Sequence, residues 1–191
     1  MTTGLLGGTF NPPHNGHVTL ARTAKEHFSL DELRVLVAAS PPHKQVDVDA
    51  DTRVALAKLA FPDDVVIRDD EPYSIDSVSG FGDDAIFLVG ADQFAAFLTW
   101  RRPDDLLDAV RLGVATRPGY PHHVLDGVLS QLRRPERVEL FRMKPVPISS
   151  SEIRDHVAVG TSITELVPKQ VASEIENRHL YRREPGYSGV V

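Results

Sequence analysis

Gly4-Leu5-Leu6-Gly7-Gly8-Thr9-Phe10-Asn11-Pro12-Pro13-His14-Asn15-Gly16-His17 is the stretch on which the reading of the fold turns. A short apolar run enters a glycine pair and then a stiff Pro-Pro turn. A segment with helical spacing follows, in which Val18, Ala21, Ala24 and Phe28 recur at steps of three and four. Strand, turn and helix in that order open an α/β unit, whose ligands bind beyond the carboxyl ends of the strands. Gly7 and Gly8 would let an anion approach the backbone closely. The first helix is expected to offer it free N–H groups and a positive dipole end. The glycines form neither G-x-x-x-x-G-K-[ST] nor G-x-G-x-x-G, so the two commonest phosphate loops are absent. In their place stands His14-x-Gly16-His17, two imidazoles three apart at the mouth of a helix and on one side of it.

Outward from this stretch, short β-branched apolar runs recur at Leu33 to Ala39, Asp64 to Arg68, Ala85 to Gly90, Val110 to Thr116 and Arg137 to Phe141. Helical spacing returns between them, for instance with Val54, Leu56, Leu59 and Ala60. Such alternation predicts a Rossmann-like, doubly wound parallel sheet with helices on both faces. The near-continuous apolar runs suit central parallel strands. After about residue 145 the pattern becomes helical, with Ser149 to Val157 and then a helix opened by Pro168 and carrying Val171 and Ile175. The expectation is one domain over 1–182, an α/β core with a small helical C-terminal part, and a frayed tail at 183–191.

The 191 residues suffice for a core without staples, and the chain has no cysteine, so disulfide and thiolate chemistry are excluded. A cysteine-free chain with no basic-then-apolar leader fits a cytoplasmic setting. No apolar run reaches the length a bilayer requires, so no membrane partner is expected. The net charge of −6 comes without a basic stripe, which argues against nucleic acid as a partner. A small anionic substrate would therefore need positive groups gathered locally. Ser40-Pro41-Pro42-His43-Lys44 is one candidate, a stiffened loop presenting an imidazole and an ammonium, though a solvated basic turn reads the same way. Ile148-Ser149-Ser150-Ser151-Glu152-Ile153-Arg154 is another. It is a capping box, with Ser149 at the cap and Glu152 three residues on, and Arg154 lies one turn inside. Gly90-Ala91-Asp92 ends an apolar strand and opens a helix expected to carry Trp100, where Asp92 is also a favourable charge for a helix start and Trp100 also suits a core. His14, His17 and His43 would supply three imidazoles to zinc, but nothing in the segment completes a known ligand spacing.

Gly8 to His17 resembles the signature of the HxGH nucleotidyltransferase superfamily. The resemblance runs on through Pro41 to Lys44, Tyr73-Ser74-Ile75-Asp76, Phe87 to Asp92, Thr99-Trp100, Arg117-Pro118-Gly119-Tyr120, the Ser149 segment and Leu180-Tyr181-Arg182. In that order the segments are similar to the nicotinate-nucleotide adenylyltransferase branch, which moves AMP from ATP onto nicotinate mononucleotide in NAD synthesis. The resemblance implies that His14, His17, His43, Lys44 and Arg154 act on the reacting phosphates. Gly8, Thr9, Phe10, Gly16, Gly90, Asp92, Ile148, Ser149 and Ser151 would hold ATP. Tyr73, Ser74, Trp100, Arg101 and Arg117 would meet the acceptor, with Trp100 stacked on its pyridine ring. Asn11 departs from the aspartate common in the family, and Ser151 from a frequent threonine. Arg101 stands where some members have an aromatic residue, and its guanidinium is a candidate partner for the acceptor's carboxylate.

The implied acceptor is a phosphate monoester, mostly dianionic at neutral pH, and needs no general base. Catalysis would then rest on positioning and electrostatic stabilisation. Mg²⁺ is expected as a cofactor held mainly by phosphate oxygens, with no dedicated protein metal site. Three rivals stand beside this reading. One is a sister transferase acting on nicotinamide mononucleotide, phosphopantetheine or a phospho-alcohol. Another is a silent nucleotide-binding module on the same fold. The weakest is an RNA-linked role by analogy to class I aminoacyl-tRNA synthetases, for which the acidic balance and short length leave no obvious surface.

Overall fold

The computed structural model describes residues 1–42 and 45–182. The expected tail at 183–191 and the pair His43 and Lys44 lie outside them. Strands β1 (Thr3–Gly8), β2 (Glu32–Ala38), β3 (Val65–Asp69), β4 (Ala85–Gly90), β5 (Arg111–Thr116) and β6 (Val138–Arg142) form one six-stranded sheet. Every pairing is parallel and the order is β3-β2-β1-β4-β5-β6. The six expected strands are all present, each within one or two residues of its expected bounds. Between them run α1 (Asn15–Phe28), α2 (Ala50–Ala60), α3 (Ser74–Val78), α4 (Ala91–Ala95), α5 (Pro103–Ala109) and α6 (His122–Leu129). Helices α7 (Ser150–Ala158) and α8 (Lys169–Asn177) follow β6.

Successive strand residues face opposite sides of the sheet, which divides the core in two. Leu6, Val35, Val37, Ile86 and Leu88 pack against α1, α2 and the C-terminal helices, in a cluster that includes Leu56, Ile153, Val171 and Ile175. Leu5, Leu36, Phe87, Val89, Leu112 and Val114 pack against α3 to α6 with Phe94, Phe97, Leu106 and Leu125. Because β1 leads to β2 on one side and its other neighbour β4 leads to β5, the connections diverge at the β1–β4 boundary. That divergence opens a crevice above the carboxyl ends of the strands.

The C-terminal part is tied to the first turn of the fold and to α2. The Asn15 N–H donates to Leu166 O (3.0 Å), Ser150 Oγ to Pro12 O (2.8 Å), and Arg178 Nη2 to Thr52 Oγ1 (3.1 Å). Two local expectations need correction. The helix opened by Ala91 ends after little more than a turn, and Trp100 follows a separate 3₁₀ turn, Phe97–Thr99. Pro168 is the cap of α8 rather than its first residue. On α2 the buried residues are Thr52, Arg53, Leu56, Ala57 and Ala60, so the buried face is rotated from the expected one and includes an arginine.

Candidate active site

The site begins where β1 runs out. Gly7, Gly8 and Thr9 reach the crevice, and Phe10 then turns with φ +49° while its ring is buried against Phe61 and His17. A bulky residue adopts that left-handed conformation only when its surroundings enforce it. After a cis peptide at Asn11–Pro12, His14 caps α1. Its Nδ1 accepts from the Gly16 N–H (3.1 Å), while the His14 N–H donates to Nδ1 of His17 (3.2 Å). The two rings stack with centroids 3.7 Å apart. Gly16 is required by this geometry, because a Cβ there would sit 2.9 Å from the His14 ring.

With both Nδ1 atoms accepting backbone N–H bonds, each neutral imidazole carries its proton on Nε2 and is a donor there. Burial pushes the pKa of His14 down to about 4, against a smaller opposing pull from the Glu152 carboxylate. His14 is therefore uncharged at neutral pH. The expectation that α1 offers free N–H groups to an anion is not met. Asn15 N–H goes to Leu166 O, Gly16 N–H to His14, and the His17 and Val18 N–H groups to His14 O (2.9 and 3.2 Å). The cap satisfies the helix start internally, so its N–H groups are already spent, and His14 itself is buried.

Helix α7 approaches the same turn. Ser149 accepts from the Glu152 N–H (3.2 Å), and Glu152 accepts from the Ser149 N–H and hydroxyl (2.8 Å each), completing the expected capping box. Ile148 holds the approach, its N–H donating to Val146 O (2.9 Å). Arg154 projects from the next turn. Its Nη1 donates to Asn11 O (2.9 Å), its Nε lies 2.9 Å from Asp47 Oδ2, and its Nη2 reaches Ser151 Oγ at 3.4 Å. Asn11 Nδ2 donates to the same Asp47 oxygen (2.9 Å). Asp47 thus joins the turn to Arg154, a role no motif in the sequence marked.

On the other side of Gly7 to Thr9 lies an open cavity of about 580 Å³, the size of small-ligand clefts. Tyr73, Ser74, Trp100 and Arg101 line it, together with Phe87 and with Asp69 and Gln93, the last two of which sequence reasoning did not single out. Trp100 is half-buried, edge-on to Phe87 (6.3 Å) and tilted against Phe97 (5.3 Å), so it belongs to the core margin and to the cavity wall at once. The exposed Arg101 guanidinium lies 4.4 Å over the Tyr73 ring. Arg117, expected with these residues, is not among those lining the cavity. It sits at the end of β5 with Nη2 3.4 Å from Asp92, beside Gly90 at the end of β4. Opposite charge on the exposed Asp92 draws it there. Among the described residues no group of three or more His, Cys, Asp or Glu could hold a metal ion, and no helix is long and apolar enough to cross a membrane.

Comparison with known proteins bears on this geometry. The cytidylyltransferase-like family profile matches residues 5–156. A probable nicotinate-nucleotide adenylyltransferase of Solibacter usitatus is 39% identical, with 95% of this chain and 100% of that protein covered. One of Exiguobacterium sibiricum is 35% identical over 95% of this chain and 99% of its own. Among solved structures, a Plasmodium falciparum nicotinic acid mononucleotide adenylyltransferase complexed with NaAD superposes with a TM-score of 0.75. Its identity is 15% over 94% of this chain and 97% of that one, a likeness of fold.

Proposed function

The chain belongs to the cytidylyltransferase-like family and, within it, to the nicotinate-nucleotide adenylyltransferases, and we propose that the turn after β1 is where its reaction takes place. That reaction joins the AMP of ATP to the phosphate of nicotinate mononucleotide, giving nicotinate adenine dinucleotide and pyrophosphate. The observation that carries the assignment of residues is the position of the Gly7–Phe10 segment. Its start lines an aromatic, arginine-rimmed cavity, and its end packs on stacked imidazoles and leads to Arg154.

In this reading the acceptor's ring lies against Trp100 in the cavity, with Tyr73, Ser74 and Arg101 around it. ATP lies along the ends of β1 and β4, its ribose by Asp92 and its phosphates by Gly8, Thr9, His14 and His17. Ser149, Ser151 and Arg154 grip the outer phosphates, and His43 and Lys44 act on the reacting ones. An oxygen of the acceptor phosphate attacks the α-phosphorus in line. The bond to the bridging oxygen breaks, and its electron pair leaves with pyrophosphate. No proton need be removed from a dianionic acceptor. The Nε2–H groups of His14 and His17 stabilise charge growing on the α-phosphate, and Arg154 that on the leaving group.

The phosphate subsite gathers hydrogen-bond donors, which fits Mg²⁺ carried in on substrate oxygens better than a protein metal cage. When bound, the ion would neutralise phosphate charge. An exchange among small molecules in a cysteine-free, net-acidic protein accords with a cytoplasmic enzyme without a nucleic-acid partner. Pyrophosphate release from ATP and magnesium, measured with nicotinate and in parallel with nicotinamide mononucleotide, tests the proposal. Faster release with nicotinate is expected. Release with neither acceptor, in a folded protein that binds ATP, would refute it.

A further inference from the structure

Arg53 of α2 is fully buried, and its guanidinium is spent on main-chain oxygens. Nη1 donates to Thr9 O (2.9 Å) and Ala38 O (2.5 Å), Nη2 to Ala39 O (2.7 Å), and Nε to Val48 O (3.3 Å). Among the described residues no carboxylate forms an ion pair with it. Burying a cation without a counter-ion is costly. Desolvation, the largest influence on this group, pulls its pKa below the ordinary arginine value. Apolar packing in its place would leave these carbonyls without donors, but a neutral donor would satisfy them without burying a charge, so the burial of a cation calls for a further reason.

Two of the four carbonyls belong to residues that line the crevice, Thr9 in the turn after β1 and Ala38 at the end of β2, and the others follow at Ala39 and on the approach to α2 at Val48. In a trans peptide the C=O and the following N–H point in opposite directions. Drawing the Thr9 carbonyl inward to Arg53 therefore turns the Phe10 N–H the other way. It also fixes the peptide that leads into the left-handed Phe10, whose φ of +49° costs energy unless the surroundings hold it. The buried positive charge remains behind the turn, and Coulomb attraction through protein is screened less than through water.

We propose that Arg53 is a positioning residue for the triphosphate: it turns the Thr9 carbonyl away from the anion, presents the opposite N–H, and sets a fixed positive charge beneath the Gly8–Phe10 turn. This rests on the reading that the turn holds ATP phosphates. Two variants separate it from a purely structural role. Arg53→Met removes fork and charge, and Arg53→Lys keeps the charge without the fork. Both are compared with the wild type well below their melting temperatures, by titrating ATP, inorganic tripolyphosphate and nicotinate mononucleotide and by measuring kcat.

The expected result for Arg53→Met is a loss of about tenfold or more in affinity for ATP and tripolyphosphate, the scale of a misplaced site, with acceptor affinity changed by less than about twofold. Arg53→Lys should fall between it and the wild type. A lowered melting temperature with unchanged ATP and tripolyphosphate affinity would overturn the proposal, as would equal losses for ATP and acceptor. If Arg53→Met does not fold, Arg53→Lys decides alone, since unchanged affinity for both phosphates would defeat it. Wild-type turnover in the same series tests the adenylyl-transfer reading separately, because the titrations do not depend on it.

Discussion

Acid should weaken the fold through one identifiable ring. Burial holds the pKa of His14 at about 4, whereas the ordinary value is 6.5. Between those values the unfolded chain binds a proton that the folded chain does not, so stability rises with pH across the window and falls as pH drops from 6.5 toward 4. Each pKa unit is worth about 1.4 kcal/mol, so the full shift caps the effect at roughly 3 kcal/mol. At pH 5 the unfolded ring is almost wholly protonated and the folded one almost wholly neutral, and linkage gives a loss of about 2 kcal/mol relative to pH 7.5. Against a total stability of about 5–15 kcal/mol this is readily measured. The assay is urea unfolding at both pH values for the wild type and for His14→Asn, which keeps a capping side chain without the titration. Carboxylates titrate in both proteins alike, so the difference between them isolates the ring. The wild type should lose about 2 kcal/mol more than the variant. Equal pH dependence would show that His14 is not held neutral by burial, and the donor role built on its neutral form would fail with it.

Three substitutions test the roles assigned at the site. His17→Ala should lower turnover by about a hundredfold or more, the scale of losing a donor to developing charge, and a folded variant with near-full turnover would defeat the assignment. Trp100→Ala should raise KM for the nicotinate acceptor by roughly tenfold while leaving that for ATP nearly unchanged, since an aromatic wall is a concentrated source of binding energy. Equal loss for both substrates would make Trp100 a core residue only. Arg101→Ala should erode the preference for nicotinate over nicotinamide mononucleotide, because a guanidinium distinguishes a carboxylate from an amide. An unchanged ratio of kcat/KM values would sink that role.

The fold was legible where burial leaves a single solution. Strands such as Ala85–Gly90, covered on both faces, write themselves as unbroken apolar runs. Short elements gave weaker signals. Gly90-Ala91-Asp92 announces a helix, but nothing in the sequence states that Phe97–Thr99 leaves the α form before Trp100. Arg53 was hidden by the rule that helps elsewhere. On an amphipathic helix a charged residue is assigned to water, and only the carbonyls of Thr9, Ala38 and Ala39 in two remote segments, with that of nearby Val48, explain why this one is inside. A signal did exist, since Arg53 lies three, four and seven residues before Leu56, Ala57 and Ala60, on their face. The imidazole pair was legible from its spacing, but the fate of the helix N–H groups was not. That depends on Leu166, far along the chain, and on the rotamer of His14.

Asn11 shows how a departure from a family pattern can be answered elsewhere in the chain. An aspartate at this position would bring a second carboxylate against Asp47 with no proton to share. The amide instead gives its Nδ2–H to Asp47 Oδ2 at 2.9 Å. The same oxygen faces Arg154 Nε at 2.9 Å, and Arg154 Nη1 returns to the carbonyl of Asn11 itself. Three residues from three segments thus close a ring in which one carboxylate is matched by one guanidinium and one amide. Asparagine at position 11 adds a donor to a half-exposed carboxylate that Arg154 already pairs. The arrangement has a consequence for the proposed phosphate grip, because Arg154 is already engaged by an anionic side chain. On that proposal a triphosphate would share the guanidinium with Asp47 or draw it away, which would couple the segment carrying Asp47 to the binding of ATP through a single side chain.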